Sequence, residues 1–268
     1  MMSIPISETV LEFYKELPFN YRDSVEDHAL SILENKTTYD VLAPFLKPKV
    51  KILEIGCGAG WLSNRIAYHN SCDITAIDFN PVAIERAKLV GKYIGNKVDF
   101  QVADLFEYEI NNKTDLVVSL GVLHHTGRCL EGLDKICDSM SKGSTVFIGL
   151  YHKYGRKPFL DEFSKIKDED EKFARYCELD SRFTDETHLR SWFRDQVLHP
   201  HETTHTMKEV TEVLEKNNMK LMWTSIRGEE EEYENMALEK LKNNEYWPGF
   251  FLLWQRRKYN EKTTSFWL

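Results

Sequence analysis

Residues Leu53–Gly60 read LEIGCGAG, an apolar strand that runs straight into three alternating glycines. Gly56, Gly58 and Gly60 let the chain turn tightly between this strand and the helical pattern AGWLSNRIAYHN, and let the backbone approach a ligand where a Cβ would stand in the way. The spacing is G-x-G-x-G, whereas a nicotinamide or flavin fingerprint reads G-x-G-x-x-G. Glu54 lies two residues before the first glycine. A carboxylate there repels a pyrophosphate and attracts an ammonium group. Cys57, inside the loop, reads as a small space-filling member of the site rather than a nucleophile.

Working outward, apolar runs rich in Val and Ile recur at KVKILEIG (49–56), CDITAID (72–78), KVDFQVAD (97–104), TDLVVSLG (114–121) and GSTVFIGLY (143–151). They are hydrophobic on both faces, as buried parallel strands are, and helical patterns separate them. One such helix opens on Asn80 as N-cap with Pro81 in its first turn. Strand and helix alternating in this way predict a doubly wound α/β sheet over 50–150. After residue 152 the alternation stops, and a polar, aromatic, helical stretch runs to His205. It resumes with a capped helix TMKEVTEVLEKNNM, a strand KLMWTSIRG, an acidic helix and a final strand GFFLLWQRRK. The expected organisation is an N-terminal lid over 1–48, a nucleotide-binding core over 49–151, a helical cap over 152–205 and the rest of the core sheet over 206–268.

The strand ends carry the chemistry. Asp78, followed by Phe79, closes the second strand, where a carboxylate accepts hydrogen bonds from both hydroxyls of a ribose. Asp104 closes the third, placed for the exocyclic amine of adenine, with Leu105 against its ring. An ammonium, a ribose and an adenine together describe S-adenosylmethionine. With these residues in view, the chain resembles the class I S-adenosylmethionine-dependent methyltransferases over residues 48–151. LEIGCGAG is similar to that family's glycine motif, AIDFNPVAIERA to its ribose-binding strand and VADLFE to its adenine motif. VVSLGVLHHT is similar to the fourth-strand motif of the small-molecule branch. The resemblance implies a Rossmann-like seven-strand sheet with the last strand antiparallel, plus a cap inserted after strand five. It implies S-adenosylmethionine as cofactor and S-adenosylhomocysteine as product. It also adds Ser119, Leu120 and Gly121 to the cofactor site, with Tyr14 and Tyr21 of FYKELPFNY as a lid.

The acceptor is less legible. The fourth-strand segment lacks the Asn/Asp-Pro-Pro-aromatic tetrad of members that act on nucleobase or amide nitrogen. His124 and His125 follow that strand at the ligand-binding end of the sheet, and each is a candidate base. His152 and His201 are further candidates. Tyr151, His152, Arg156, His199 and His201 are expected to line the acceptor pocket, and arginines among aromatics suggest an acceptor with a carboxylate, phosphate or planar ring. HPHETTH (199–205) also contains H-E-x-x-H, the zinc-protease signature. Pro200 and the Thr203-Thr204 pair argue against a helix through it, and Thr206 with Glu209 forms a T-x-x-E capping box, so the helix is expected to begin after the motif. No metal site is expected. A zinc hydrolase is the third reading, after a non-catalytic S-adenosylmethionine-binding subunit.

Composition narrows the classes. A formal charge of −8 over 268 residues disfavours non-specific binding to nucleic acid or anionic membranes. Five scattered cysteines with no CxxC pair suggest neither a disulfide framework nor a cysteine zinc site. With no apolar run near the ~20 residues of a membrane span and no secretion pattern, a cytoplasmic enzyme acting on a small-molecule acceptor is expected.

Overall fold

The structure, a computed structural model, describes residues 6–34, 39–182 and 185–257; residues 1–5, 35–38, 183–184 and 258–268 of the expected segments lie outside the described residues. The chain begins with α1 (Ile6–Glu16) and α2 (Val25–Leu33), then enters the first βα units: β1 (Lys51–Ile55), α3 (Trp61–His69), β2 (Asp73–Asp78), α4 (Pro81–Ile94) and β3 (Asp99–Val102). It continues through β4 (Leu116–Leu120), α5 (Cys129–Ser139) and β5 (Thr145–Tyr151). Three helices follow, α6 (Lys153–Ser164), α7 (Glu169–Leu179) and α8 (Glu186–Phe193), before α9 (Met207–Lys216), β6 (Met219–Thr224), α10 (Glu232–Lys242) and β7 (Phe250–Arg257). The strands form one sheet in the order β3-β2-β1-β4-β5-β7-β6. The first five are parallel, and β7 runs antiparallel between β5 and β6. This is the expected Rossmann-like seven-strand sheet.

Every residue of β5 is buried, the signature of a strand covered on both faces. Val146, Ile148 and Leu150 join Leu133 and Ile136 of α5 and Val210 and Leu214 of α9 on one face. Phe147 points the other way, to Leu42 and to Leu62 and Ile66 of α3. Alternation along the strand thus places the two helical layers. The stretch after β5 builds a core of its own from Phe159, Phe163, Tyr176, Phe193 and Leu241. Its aromatics at helical spacing are therefore packing residues in the main. Among the described residues no helix is long and apolar enough to cross a membrane.

Caps set the helix starts the site depends on. Asn80 Oδ1 accepts from Val82 N at 3.0 Å to begin α4. Thr206 and Glu209 form the complete capping box of α9, so α9 begins just after His205. Between α8 and that box the helix widens into a π turn at Arg194–Leu198. The wider turn directs both Asp195 and Gln196 inward, whereas the neighbouring Arg194 reaches out to Glu16 of α1 at 2.7 Å.

Candidate active site

The C-terminal ends of β1, β2, β3 and β4 open into a cavity of about 910 Å³. Small-molecule sites span roughly 300–1,000 Å³, so this one has room for a nucleoside cofactor and part of an acceptor. Its floor is the glycine loop. Gly58 has φ +51° and an added Cβ there would meet only the Phe19 carbonyl, at 3.9 Å, whereas Gly60, at φ +77°, packs so that an added Cβ would meet Ala87 Cβ at 2.6 Å. The second and third glycines thus serve different ends: Gly58 leaves room for a ligand and Gly60 lets α3 and α4 approach.

The carboxylates sit where strands end. Asp78 accepts from Gly58 N at 2.8 Å and from Asn80 N at 2.9 Å. Burial raises its pKa, and these two backbone bonds oppose that rise. Glu54 is buried with Ser63 Oγ as its hydrogen-bond donor. Burial first, and then the charge of Asp78, push its pKa up to about 8, while the Ser63 bond opposes. Asp104 accepts from Phe106 N at 2.8 Å and lines the wall with Phe79 and Leu105. Among the described residues neither Glu54 nor Asp78 has a cationic partner. Two buried carboxyl groups without a counter-charge are costly to ionise together, and a ligand bearing an ammonium group would offset that cost. The residues present therefore fit S-adenosylmethionine.

One consequence is measurable. In the free site Glu54 is largely protonated at pH 7, and an incoming ammonium group favours its ionised form, so binding expels a proton. Affinity for S-adenosylhomocysteine should rise with pH by up to about tenfold per unit until about pH 8, then level off. Titration calorimetry in two buffers of different ionisation enthalpy reads both the affinity and the released proton. Equal affinity at pH 6 and pH 8 would refute this account of Glu54.

Beyond the methionine end lies a cluster contributed by three distant segments. The Tyr14 hydroxyl donates to Asp195 Oδ1 at 2.6 Å. The His125 ring lies beside this pair, with Nδ1 3.1 Å from the His201 carbonyl and Nε2 3.7 Å from Asp195 Oδ1. Burial lowers the pKa of His125 to about 3 and raises that of Asp195. Tyr14, His125 and Asp195 all line the cavity. The N-terminal segment is tied down as well: Asn80 Nδ2 donates to the Tyr14 carbonyl at 2.9 Å, and Asn20 Oδ1 accepts from Trp192 Nε1 at 3.2 Å.

Of the residues expected at the cofactor end, Tyr14, Glu54, Gly56, Cys57, Gly58 and Asp78 line the cavity, as do Phe79, Asp104, Leu105, Leu120 and Gly121. Gly60 and the buried Ser119 lie behind that wall. Tyr21 turns away from the cavity: its ring lies under the Arg86 guanidinium at 4.2 Å and its hydroxyl is bonded to Arg86 Nη2. The expected acceptor residues form a layer behind His125. His199 stacks on His125 with ring centroids 3.8 Å apart, and His201 Nε2 is held 3.2 Å from the Thr126 carbonyl. His124 Nδ1 accepts from Tyr151 N, and the two rings stack at 4.0 Å. His152 is sealed in the interior, 2.8 Å from Glu230, and caps α6 through Gly155 N.

Arg156, expected to line the acceptor pocket, is not among the residues that line the cavity. It is fully buried, and its guanidinium bonds Glu202 at 3.0 and 2.7 Å, the Gln196 carbonyl at 2.6 Å and the Pro248 carbonyl at 3.2 Å. With those donors engaged and the side chain off the cavity wall, it ties the inserted helices to the sheet. Glu202, the would-be general base of H-E-x-x-H, is its partner. The motif runs as an extended loop, and His205 pairs with His152 across an isolated bridge while its Nε2 meets Thr203 Oγ1 at 2.9 Å. The helical face that a zinc protease needs does not form.

Asp195, Asn20, Arg22, Tyr39 and Trp61 also line the cavity, and sequence reasoning did not single them out. Nothing in their local spacing marks them. Tyr14 and Asp195 meet across 181 residues, and only the fold brings them together.

Fold and cavity define a doubly wound nucleoside-binding protein with carboxylates at three strand ends. Residues 46–218 match the family model described as a methyltransferase domain, and the chain belongs to the class I S-adenosylmethionine-dependent methyltransferase family. Among curated proteins it is similar to malonyl-(acyl-carrier protein) O-methyltransferase of Acetivibrio thermocellus, 37% identical over 84 residues, which are 31% of this chain and 29% of that protein. It is 28% identical over 114 residues to the tRNA U34 carboxymethyltransferase of Campylobacter fetus, covering 41% of this chain and 40% of that protein. These matches span well under two thirds of either relative's length. The fold is shared with magnesium protoporphyrin IX methyltransferase from Synechocystis PCC 6803 with bound SAM, at 12% identity over 96% of this chain and 100% of that one, TM-score 0.55. It is shared too with a SAM-dependent methyltransferase of Methanosarcina mazei, at 15% identity over 83% and 99% of the two chains, TM-score 0.56.

Proposed function

We propose that this chain methylates a hydroxyl of a small-molecule acceptor, with His125 as the base. The observation that carries this reading is the His125 imidazole. Its Nδ1 lies 3.1 Å from the His201 carbonyl, a geometry in which Nδ1–H donates and Nε2 keeps its lone pair. That Nε2 is buried without a hydrogen-bond partner among the described residues, on the cavity wall. When bound, the cofactor supplies a methyl group already activated on a sulfonium. What remains for the protein is to hold the acceptor in line and remove its proton. His125 Nε2 would take the acceptor's O–H proton as that oxygen gains the methyl group from the sulfonium, whose sulfur keeps the bonding pair as the neutral thioether. Asp195, 3.7 Å from Nε2, would stabilise the imidazolium so formed.

On this reading Glu54 takes the cofactor's ammonium, Asp78 the ribose hydroxyls, and Asp104 with Leu105 the adenine. The helices α6 to α8, with the lid of α1, close the acceptor end. An enclosed cavity with this balance of charge suits a metabolite better than a polynucleotide. Asp78→Asn should weaken S-adenosylhomocysteine binding by at least about tenfold, since the ribose would lose a charged acceptor. Calorimetry on the purified protein checks this, paired with a mass screen of a metabolite extract for the gain of one methyl. Absence of binding by folded protein would refute the reading, and binding without any methylated product would favour a non-catalytic subunit.

A further inference from the structure

The cavity carries charges of both signs. Glu54, Asp78 and Asp104 stand at the strand ends, and the arginines Arg22 and Arg182 line the same cavity. The two arginines are not equivalent. Arg182 is bonded to Asp180 through Nε and Nη2, both at 2.7 Å, and lies over the Tyr246 ring at 4.2 Å. A third lining arginine, Arg128, is engaged by Glu131 at the rim. The guanidinium of Arg22, by contrast, makes no hydrogen bond or ion pair with any described residue, and its Nε is shielded from solvent. Burial lowers its pKa, and the more distant Asp185, Asp27 and Glu34 oppose that fall without reaching it.

Its position is nonetheless well defined. The Arg22 carbonyl accepts from Arg86 Nη1 at 3.0 Å. Two residues earlier Asn20, at φ +56°, is gripped by His188 and Trp192. A half-buried guanidinium in a cavity wall, with no carboxylate in hydrogen-bond contact among the described residues, keeps its donors available to an anionic ligand. The same cavity is lined by flat side chains, Tyr39, Trp61, Phe19 and Trp192, the last two with ring centroids 4.6 Å apart. Such walls select planar molecules.

We propose that Arg22 receives an oxyanion of the methyl acceptor, so that the substrate class is a planar, anionic hydroxy compound. This rests on the methyl-transfer reading of the same cavity and adds the charge of the acceptor to it. A cationic cofactor at the carboxylates and an anionic acceptor at Arg22 would satisfy both signs of charge at once. Arg156, the arginine that sequence alone nominates for this task, has its guanidinium occupied within the protein.

Benzoate, phenyl phosphate and benzamide serve as probes, titrated by NMR into protein saturated with S-adenosylhomocysteine. At least one anion should bind, benzamide more weakly than it, and the stronger of the two anions tells a carboxylate site from a phosphate site. R22Q should weaken anion binding by at least about tenfold with benzamide unchanged, and R22K should restore much of it. Benzamide binding as well as both anions would overturn the proposal, as would anion affinity within twofold of wild type in R22Q. The methyl-transfer reading is judged separately. If S-adenosylhomocysteine does not bind folded protein, that reading falls, while the same anion titration on the free protein still decides the role of Arg22.

Discussion

His125→Gln should lower the turnover number by about 10²–10⁴-fold, the usual contribution of a positioned general base, and leave S-adenosylhomocysteine affinity within about threefold. Both halves follow from placement: the ring lines the cavity beside the Tyr14–Asp195 pair and makes no hydrogen bond to Glu54, Asp78 or Asp104. The pH profile separates this account from an ordinary surface histidine. Burial holds the His125 pKa at about 3, so the imidazole stays uncharged throughout the neutral range. The rate should therefore show no limb at about pH 6–7 from this group, whereas an unperturbed imidazole would give one. The measurement is single-turnover methyl transfer with the best acceptor of a hydroxyaryl panel, in wild type and variant. A variant turning over within threefold of wild type would end the assignment of His125 as base.

The second large effect concerns stability. Arg156→Ala should destabilise the protein by about 3–5 kcal/mol, because Glu202 would keep a largely buried charge with no partner. For a chain of this size that is a fall in Tm of roughly 10 °C. The cost should be asymmetric. Replacing both partners by apolar residues, Arg156→Met with Glu202→Leu, should recover more than half of the loss, since neither charge then has to be desolvated. Thermal unfolding of the two single variants and the double variant forms the cycle. Additive losses in the double variant would show that the two side chains act independently. The same pair bears on H-E-x-x-H, because a Glu202 committed to Arg156 stabilises the fold in place of activating water.

The sheet was legible in sequence because its determinants are local. Valine and isoleucine runs of strand length, Asn80-Pro81 at the head of a helix, and Thr206 with Glu209 each act within a few residues. The strands and caps accordingly form where those signals stand. The cofactor end was legible for the same reason. In a doubly wound fold the ends of successive parallel strands meet at one edge, so Glu54, Asp78 and Asp104 need only end their own strands to converge.

The acceptor end obeys no such rule. Arg156 and Arg22 are both arginines beside aromatics, and local sequence does not tell which of them has a free guanidinium. Arg156 is consumed by Glu202 and by two backbone carbonyls that arrive from 40 and 92 residues away. Asp195 reaches the cavity through a π turn that no periodicity announces, and there it meets Tyr14. Sequence by itself thus determined the sheet, the capped helices and the carboxylates of the nucleoside site, all from short-range pattern and strand ends. Only the tertiary structure decided which of the candidate histidines faces the cavity and which arginine has no hydrogen-bond partner among the described residues, because those properties depend on what distant segments bring against each side chain.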